Sequence, residues 1–345
     1  MIAKVRTRAR DFVYRHVGGT ALVLVYHRVA DLQRDPQRLA VAVHNFSAQI
    51  RLLSQRYRVV SLEELIRTLR KRRVLDRAIA ITFDDGYADN LHNAAPVLAG
   101  REVPATVFVG SGAIGTQREF WWDEVERIVL APGTLSDHIE LAVGHARFSA
   151  AVTGSRVYSP ADAARDAIWN IESANDNERQ RLYRNLCAFI KPLSSEERAS
   201  ALEQLRAAAD APAPRTGYLP LSATELAALD AYPAIDIGAH TVSHQMLSVC
   251  APEEQREEIR ADRDALLEML GHTPRVFAYP YGGLDDYTAE TAEIVREVGY
   301  EGACSGHPGV VKMWGDPYRI PRHLVRDWDA ETLVRKIDGW FDGQR

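Results

Sequence analysis

Cysteine is scarce in this chain: Cys187, Cys250 and Cys304 are the only three, widely scattered and without a C-x-x-C pair. An odd count leaves one unpaired in any scheme. That speaks against a disulfide framework and for small buried hydrophobes in a reducing compartment. No apolar run approaches the ~18 residues that a membrane span needs. The first such run, at 21–26, is too short for the core of a secretory signal and stops at His27 and Arg28, so the cytoplasm is the expected location. A basic excess is missing too. Lys and Arg number 42 against 47 Asp and Glu, for a net charge of −5, which argues against a nucleic-acid partner whose phosphates would need cations. The N-terminus is a local exception, with Lys4, Arg6, Arg8, Arg10 and Arg15. The bland account is a solvated face of a helix over 1–20. The sharper one is weak contact with an anionic membrane surface, which would make the protein membrane-peripheral.

What is present is ordinary globular composition, 46% hydrophobic and 26% charged over 345 residues, enough for one large core or a core plus an insertion. Short β-branched apolar runs at 21–26, 78–83, 105–109, 234–238, 276–279, 299–304 and 319–324 alternate with helical patterns. That alternation marks βα units around a parallel sheet. Leu62, Leu65 and Leu69 share helical spacing, as do Ile259, Leu266 and Leu270, and Ser222 to Glu225 reads as a capping box. The rhythm breaks at about 118–218. This interval opens with Phe120-Trp121-Trp122-Asp123, continues with a hairpin turning at Gly144-His145, and then runs through charged helices over roughly 160–209. We read it as an insertion on a main domain covering 21–345.

Four strings carry chemistry. Thr82-Phe83-Asp84-Asp85-Gly86 ends an apolar strand. Two adjacent carboxylates there cannot both be buried and charged without a counter-ion, and strand alternation turns them in different directions, so one can ligate a cation while the other faces substrate. His240-Thr241-Val242-Ser243-His244 also follows a strand. On one helical turn its two imidazoles would share a face and suit a shared metal. With Asp85 they make two histidines and one carboxylate, leaving coordination positions open. Phe277-Ala278-Tyr279-Pro280-Tyr281-Gly282-Gly283 ends a strand in a rigid loop with backbone N–H groups at the barrel mouth, and Tyr26-His27-Arg28 ends the first strand.

The first three strings, in this order, resemble the polysaccharide deacetylases of carbohydrate esterase family 4, the NodB-homology deacetylases. A histidine ahead of Asp84, at His27, is similar to the circularly permuted branch with an N-terminal Tyr-His motif. The resemblance runs from about 22 to 325 and implies a distorted (β/α)7 barrel with its site at the C-terminal strand ends. It implies one divalent metal on Asp85, His240 and His244, Asp84 as general base, the Tyr281 N–H in the oxyanion site and His27 as general acid. Zinc is the default ion; cobalt, nickel and iron suit the same ligands.

Two departures stand out. The family often places an arginine two residues before the loop proline, where this chain has Ala278, and Arg322 is the expected substitute. No Leu-x-His acid motif is evident, and His323 competes with His27, although it should point opposite to Arg322. Trp121, Trp122, Tyr279 and Tyr281 are candidates for an aromatic wall against sugar rings, with core packing the alternative for the tryptophans. The implied reaction is removal of N-acetyl groups from an amino-sugar saccharide or a glycan-assembly intermediate. O-acetyl ester hydrolysis and an inactive sugar-binding homologue are the alternatives. A non-heme iron oxygenase also uses two histidines and a carboxylate, but its antiparallel jelly roll conflicts with the βα alternation.

Overall fold

A computed structural model describes residues 19–344. The expected N-terminal helix and its basic cluster fall on residues outside these, apart from its last two positions, and Thr20 already belongs to a strand. Among the described residues no helix is long and apolar enough to cross a membrane.

Seven parallel strands, as the βα rhythm implies, curl into the distorted barrel that the family resemblance implies: β1 (Thr20–Tyr26), β2 (Ala78–Phe83), β3 (Ala105–Val109), β4 (Ile235–Ala239), β5 (Val276–Ala278), β6 (Gly302–Cys304) and β7 (His323–Leu324). Spatial order follows chain order from β1 to β6, and β7 returns beside β1 with Leu24 opposite His323. The run expected at 319–324 is an interrupted strand. Ile320 bridges to Cys304 on β6, the chain breaks register at Arg322, and only His323 and Leu324 pair with β1. This broken segment spans the gap between the last strand and the first.

The strands are buried on both faces, which is why they read as continuous apolar runs rather than alternating ones. Period-two alternation nevertheless divides them. Leu22, Leu24, Ile79, Ile81, Val107, Ile237 and Phe277 join the large outer cluster packed under the helices. Ala21, Val23, Ala78, Ala80, Phe108, Ala278 and Cys304 form a separate inner cluster, together with Leu62, Leu65 and Leu69 of α1 (Leu62–Arg70). The lumen is thus filled mainly by small side chains and Phe108. Carrying the inward parity one step past each strand reaches Asp84, His240 and His27, and on the broken segment Arg322.

The interval after β3 builds its own hydrophobic cluster from residues between Val125 and Leu205. It comprises α2 (Trp121–Leu130), the hairpin His138–Val143 and Ala146–Ala151, then α3 (Glu178–Ile190) and α4 (Ser195–Ala207). The helix read at 252–270 is α5 (Pro252–Leu270), behind β4.

Gly238 on β4 lies opposite Phe108 on β3, and a Cβ there would stand 2.4 Å from the Phe108 ring. Gly238→Ala is expected to overpack the lumen by about 1–3 kcal/mol. Urea unfolding should show a lower midpoint with an unchanged slope.

Candidate active site

The C-terminal ends of β1, β2, β4 and β5 and the broken segment before β7 bring the chemistry-bearing strings to one end of the barrel. Asp85 Oδ1 lies 3.7 Å from His240 Nε2 and 3.3 Å from His244 Nε2, and the two imidazole centroids are 4.9 Å apart. The three side chains form one cluster whose ligand atoms all lie within 4.8 Å of one another.

The helical turn expected for His240–His244 is not there. The backbone through these residues is irregular, and Thr241 (φ 65°) and His244 (φ 53°) adopt the left-handed region that interrupts a helix. The imidazoles meet because the chain folds back on itself. Asp85 (φ 72°) and Tyr281 (φ 61°) are left-handed as well. Such conformations are strained in non-glycine residues, at roughly 1–3 kcal/mol each, and concentrate at functional sites.

Hydrogen bonding fixes what the cluster can hold. His240 Nδ1–H donates to the Ala278 carbonyl at 2.7 Å, which leaves the lone pair on Nε2, the atom facing Asp85. Burial pushes the His240 imidazole down to about 4 and the His244 imidazole to about 3, so both are neutral at pH 7. His244 Nδ1 is buried without a partner. Burial likewise raises the pKa of the Asp85 carboxyl, and the neighbouring Asp84 carboxylate raises it further. The His240 lone pair and the Nε2 of His244 therefore face a carboxylate oxygen, and both imidazoles are neutral. That arrangement fits a divalent cation, with the His240–carbonyl contact orienting a ligand from behind.

Asp84, 5% exposed, is the opposite case. Arg322, itself 1% exposed, reaches both carboxylate oxygens at 2.7 Å, donates to Thr82 Oγ1 at 3.2 Å, and fixes its Nε–H on the Ser305 carbonyl at 2.7 Å. Burial would raise the Asp84 carboxyl, but the guanidinium overcomes it and holds the group down at about 2. Arg322 thus occupies the place beside Asp84 that the sequence proposes for it.

His27 sits within reach of the charges of Asp85, Asp84, Arg322 and His240, its Nδ1 is buried without a partner, and burial lowers its pKa. His323 stacks on Trp340 of the C-terminal helix with ring centroids 4.1 Å apart, on the outward side. The inward histidine is His27.

The aromatic candidates divide. Tyr281 packs edge-on against His244 at 4.6 Å and receives the Trp121 indole N–H at 3.2 Å. Its backbone N–H makes no hydrogen bond among the described residues. Tyr279 does not face substrate: it is 1% exposed, stacked on Tyr287 at 3.9 Å, and its hydroxyl donates to the Tyr318 carbonyl. Position 279 continues the outward parity of Phe277, so Tyr279 belongs to the outer core. Trp122 is 5% exposed, lies 5.0 Å from the His244 ring, and donates its indole N–H to the Tyr87 hydroxyl at 2.8 Å. It buttresses a metal-ligand candidate, and the half-buried Trp121 is the tryptophan that offers surface. An open cleft of about 1230 Å³ runs from Asp85, His240 and His244 past Trp121 and along α4 of the insertion.

Sequence reasoning passed over the support behind these groups. Asp262 on α5 accepts the Ser111 and His240 amides at 2.7 and 2.9 Å, and Glu258 accepts the Ser243 amide and hydroxyl, both at 2.9 Å. Both lie in a helix pattern that reads only as charged surface.

Comparison with known proteins adds the lineage. Residues 71–176 and 218–303, more than half of the chain, match the family model described as polysaccharide deacetylase. YxkH of Bacillus subtilis (strain 168), a protein named as a polysaccharide deacetylase, is 26% identical over 125 residues. That alignment covers 34% of this chain and 43% of the relative, less than half its length. IcaB of Ammonifex degensii superimposes with a TM-score of 0.57 at 20% identity, covering 94% of this chain and 98% of that one. The deacetylase PplD of Streptococcus pyogenes, in complex with acetate, gives 0.53 at 16% identity over 93% and 99%. A de-N-acetylase of Aggregatibacter actinomycetemcomitans gives 0.54 at 13% over 92% and 99%. At these identities the likeness is one of fold.

The Asp84–Arg322 pair has a pH signature. Because the folded-state pKa of Asp84 is depressed, its stabilisation is present above the unfolded value near 4 and is lost as pH falls through about 2. Asp84→Asn is expected to destabilise the protein at pH 7, with the gap to wild type closing between pH 4 and pH 2. Urea titrations of both proteins across that range test this; a gap that stayed constant would separate Arg322 from the ionisation of Asp84.

Proposed function

The chain belongs to the polysaccharide deacetylase family, and from that premise we propose that it is a metal-dependent hydrolase that removes N-acetyl groups from an amino-sugar saccharide. The observation that carries the reading is the convergence of Asp85, His240 and His244, which line one cleft, beside an arginine-clamped Asp84. Water adds across the amide C–N bond, giving acetate and a free amine.

Asp85, His240 and His244 would hold the cation. When bound, it supplies Lewis acidity, polarising the acetyl carbonyl and acidifying a water molecule. Zinc suits two neutral imidazoles and a carboxylate best, with cobalt, nickel and iron as alternatives. Asp84, kept ionised and oriented by Arg322, takes the proton of the attacking water. The Tyr281 N–H donates to the carbonyl oxygen as negative charge develops there. His27, whose protonated form burial disfavours and the Asp85 and Asp84 carboxylates favour, gives a proton to the departing nitrogen, which cannot leave as an amide anion. Trp121 offers an apolar face to a sugar ring. We place the reaction on a cytoplasmic saccharide intermediate.

Asp84→Asn is expected to lower kcat by a factor on the order of 10²–10⁴ while leaving uptake of Zn²⁺ by the apoprotein intact. Acetate release from N-acetylglucosamine oligomers, read beside a metal titration, checks both halves. Release only from O-acetylated xylan would turn the reading to an esterase, and release from neither with the cation bound would turn it to a saccharide-binding homologue.

His27→Ala is expected to reduce kcat with little change in KM. A rise in KM alone would remove His27 from the role of acid. Chelation with dipicolinate should abolish acetate release, and added Zn²⁺ or Co²⁺ should restore it.

A further inference from the structure

The family match omits 177–217, the stretch that holds α3 and α4 of the insertion. Yet the elbow between these helices touches both loops that carry the site. Arg198 on α4, 5% exposed, donates to the Ser243 carbonyl at 2.7 Å, the His244 carbonyl at 3.1 Å and Gln245 Oε1 at 3.3 Å. Gln245 Nε2 donates in turn to the Leu193 carbonyl at 3.0 Å. Lys191 lies 2.6 Å from Asp286 Oδ1 and 4.6 Å above the Tyr281 ring, and Asp286 Oδ2 accepts the Gly283 amide at 2.9 Å.

We propose that this elbow is a two-point latch: Arg198 is a positioning residue for the loop that carries His244, and Lys191 is one for the loop that carries Tyr281. The inference rests on the reading of the site given above. His244 and Tyr281 both sit in left-handed backbone, and neither belongs to a helix or strand, so no repeating hydrogen-bond ladder holds them there. External contacts must do so. The His244 loop is gripped from two sides by complementary groups: Glu258 of α5 accepts the Ser243 amide, and Arg198 donates to the carbonyls of residues 243 and 244. A guanidinium fork on two successive carbonyls fixes the peptide plane between them, and with it the direction of the His244 side chain. On the other loop, Asp286 is 5% exposed, and Lys191 is its cation among the described residues. Tyr281 and His244 touch ring to ring, so the two grips act on one packed unit.

The test uses the full chain with Arg198→Met and Lys191→Met, each checked for wild-type circular dichroism. The apoproteins are titrated with Zn²⁺ against a competing chelator, and kcat and KM are measured at saturating Zn²⁺. Arg198→Met is expected to weaken Zn²⁺ binding by roughly 10–100-fold, the range found when groups behind metal ligands are removed. Lys191→Met is expected to keep Zn²⁺ affinity and to lose kcat on the order of tenfold or more, with KM little changed, because an oxyanion donor is displaced. A folded Arg198→Met with wild-type Zn²⁺ affinity, or a Lys191→Met with wild-type kcat, overturns the latch. If Arg198→Met does not fold, Arg198→Lys replaces it, with a smaller loss of affinity expected and an unchanged affinity counting against the proposal. A wild-type chain that takes up no Zn²⁺ would instead overturn the reading of the site itself.

Discussion

Two carboxylates in succession at the end of one buried strand set the terms for everything around them. Asp84 and Asp85 are 5% and 3% exposed, and neither can remain ionised there without a counter-charge. Arg322 neutralises the first through two short hydrogen bonds. The second faces imidazoles that burial keeps neutral, so one negative charge is left without compensation. The site has two ways to settle this: Asp85 takes up a proton, toward which burial shifts its equilibrium, or a cation enters. The two compete for the same oxygen, which ties cation uptake to proton release. Arg322 is therefore more than a partner of Asp84. By pairing both oxygens of one carboxylate, it leaves the unmet charge on the other, which the Nε2 atoms of His240 and His244 face.

Much of this was legible in the sequence because strands transmit a parity. Asp84 and His240 stand at the ends of apolar runs, and counting by twos from Ala80 and Gly238 turns both inward. The same count separates Arg322 from His323 and sends Tyr279 outward with Phe277, although its place in an aromatic loop invites a functional reading. What the count cannot supply is the path of the chain after a strand ends. The spacing of His240 and His244 suits a helical turn, but the left-handed backbone at 241 and 244 brings the rings together by another route. Asp and His enter the left-handed region more readily than most residues, but the preference is too weak to mark Asp85 or His244 in the sequence, and Thr241 and Tyr281 lack it. Lys191 and Arg198 were illegible for a related reason. In a charged helix, a buried arginine and a solvated one look alike until the neighbouring loop is in place.

Strain and support belong to one scheme. Asp85, Thr241, His244 and Tyr281 are four of the eight non-glycine residues with positive φ among the described residues, and all lie on the loops of the site. Each holds a conformation that an isolated chain would leave, so the order must come from packed elements behind it. On the barrel side α5 supplies it through Asp262 and Glu258. On the open side the segment after β3 supplies it, and its separate hydrophobic cluster gives the α3–α4 elbow a firm base.

The arginine beside Asp84 carries a chemical consequence of its own. A carboxylate held at about 2 is a weak base. Taking a proton from free water, with a pKa of 15.7, would be uphill by about 14 units, or ~19 kcal/mol. If the water is acidified to a pKa of about 7, the gap falls to about 5 units, or ~7 kcal/mol, a height that enzymatic turnover can cross. Removing Arg322 would strengthen the base on paper, but it would leave two buried carboxylates side by side to share a proton, and the base would then be lost to protonation. A clamped, weakened, permanently ionised Asp84 is useful only next to a group that acidifies water. On the proposed mechanism, the Asp84–Arg322 pair and the Asp85–His240–His244 cluster are thus complementary: one keeps a base ionised, and the other would hold the cation that makes so weak a base sufficient.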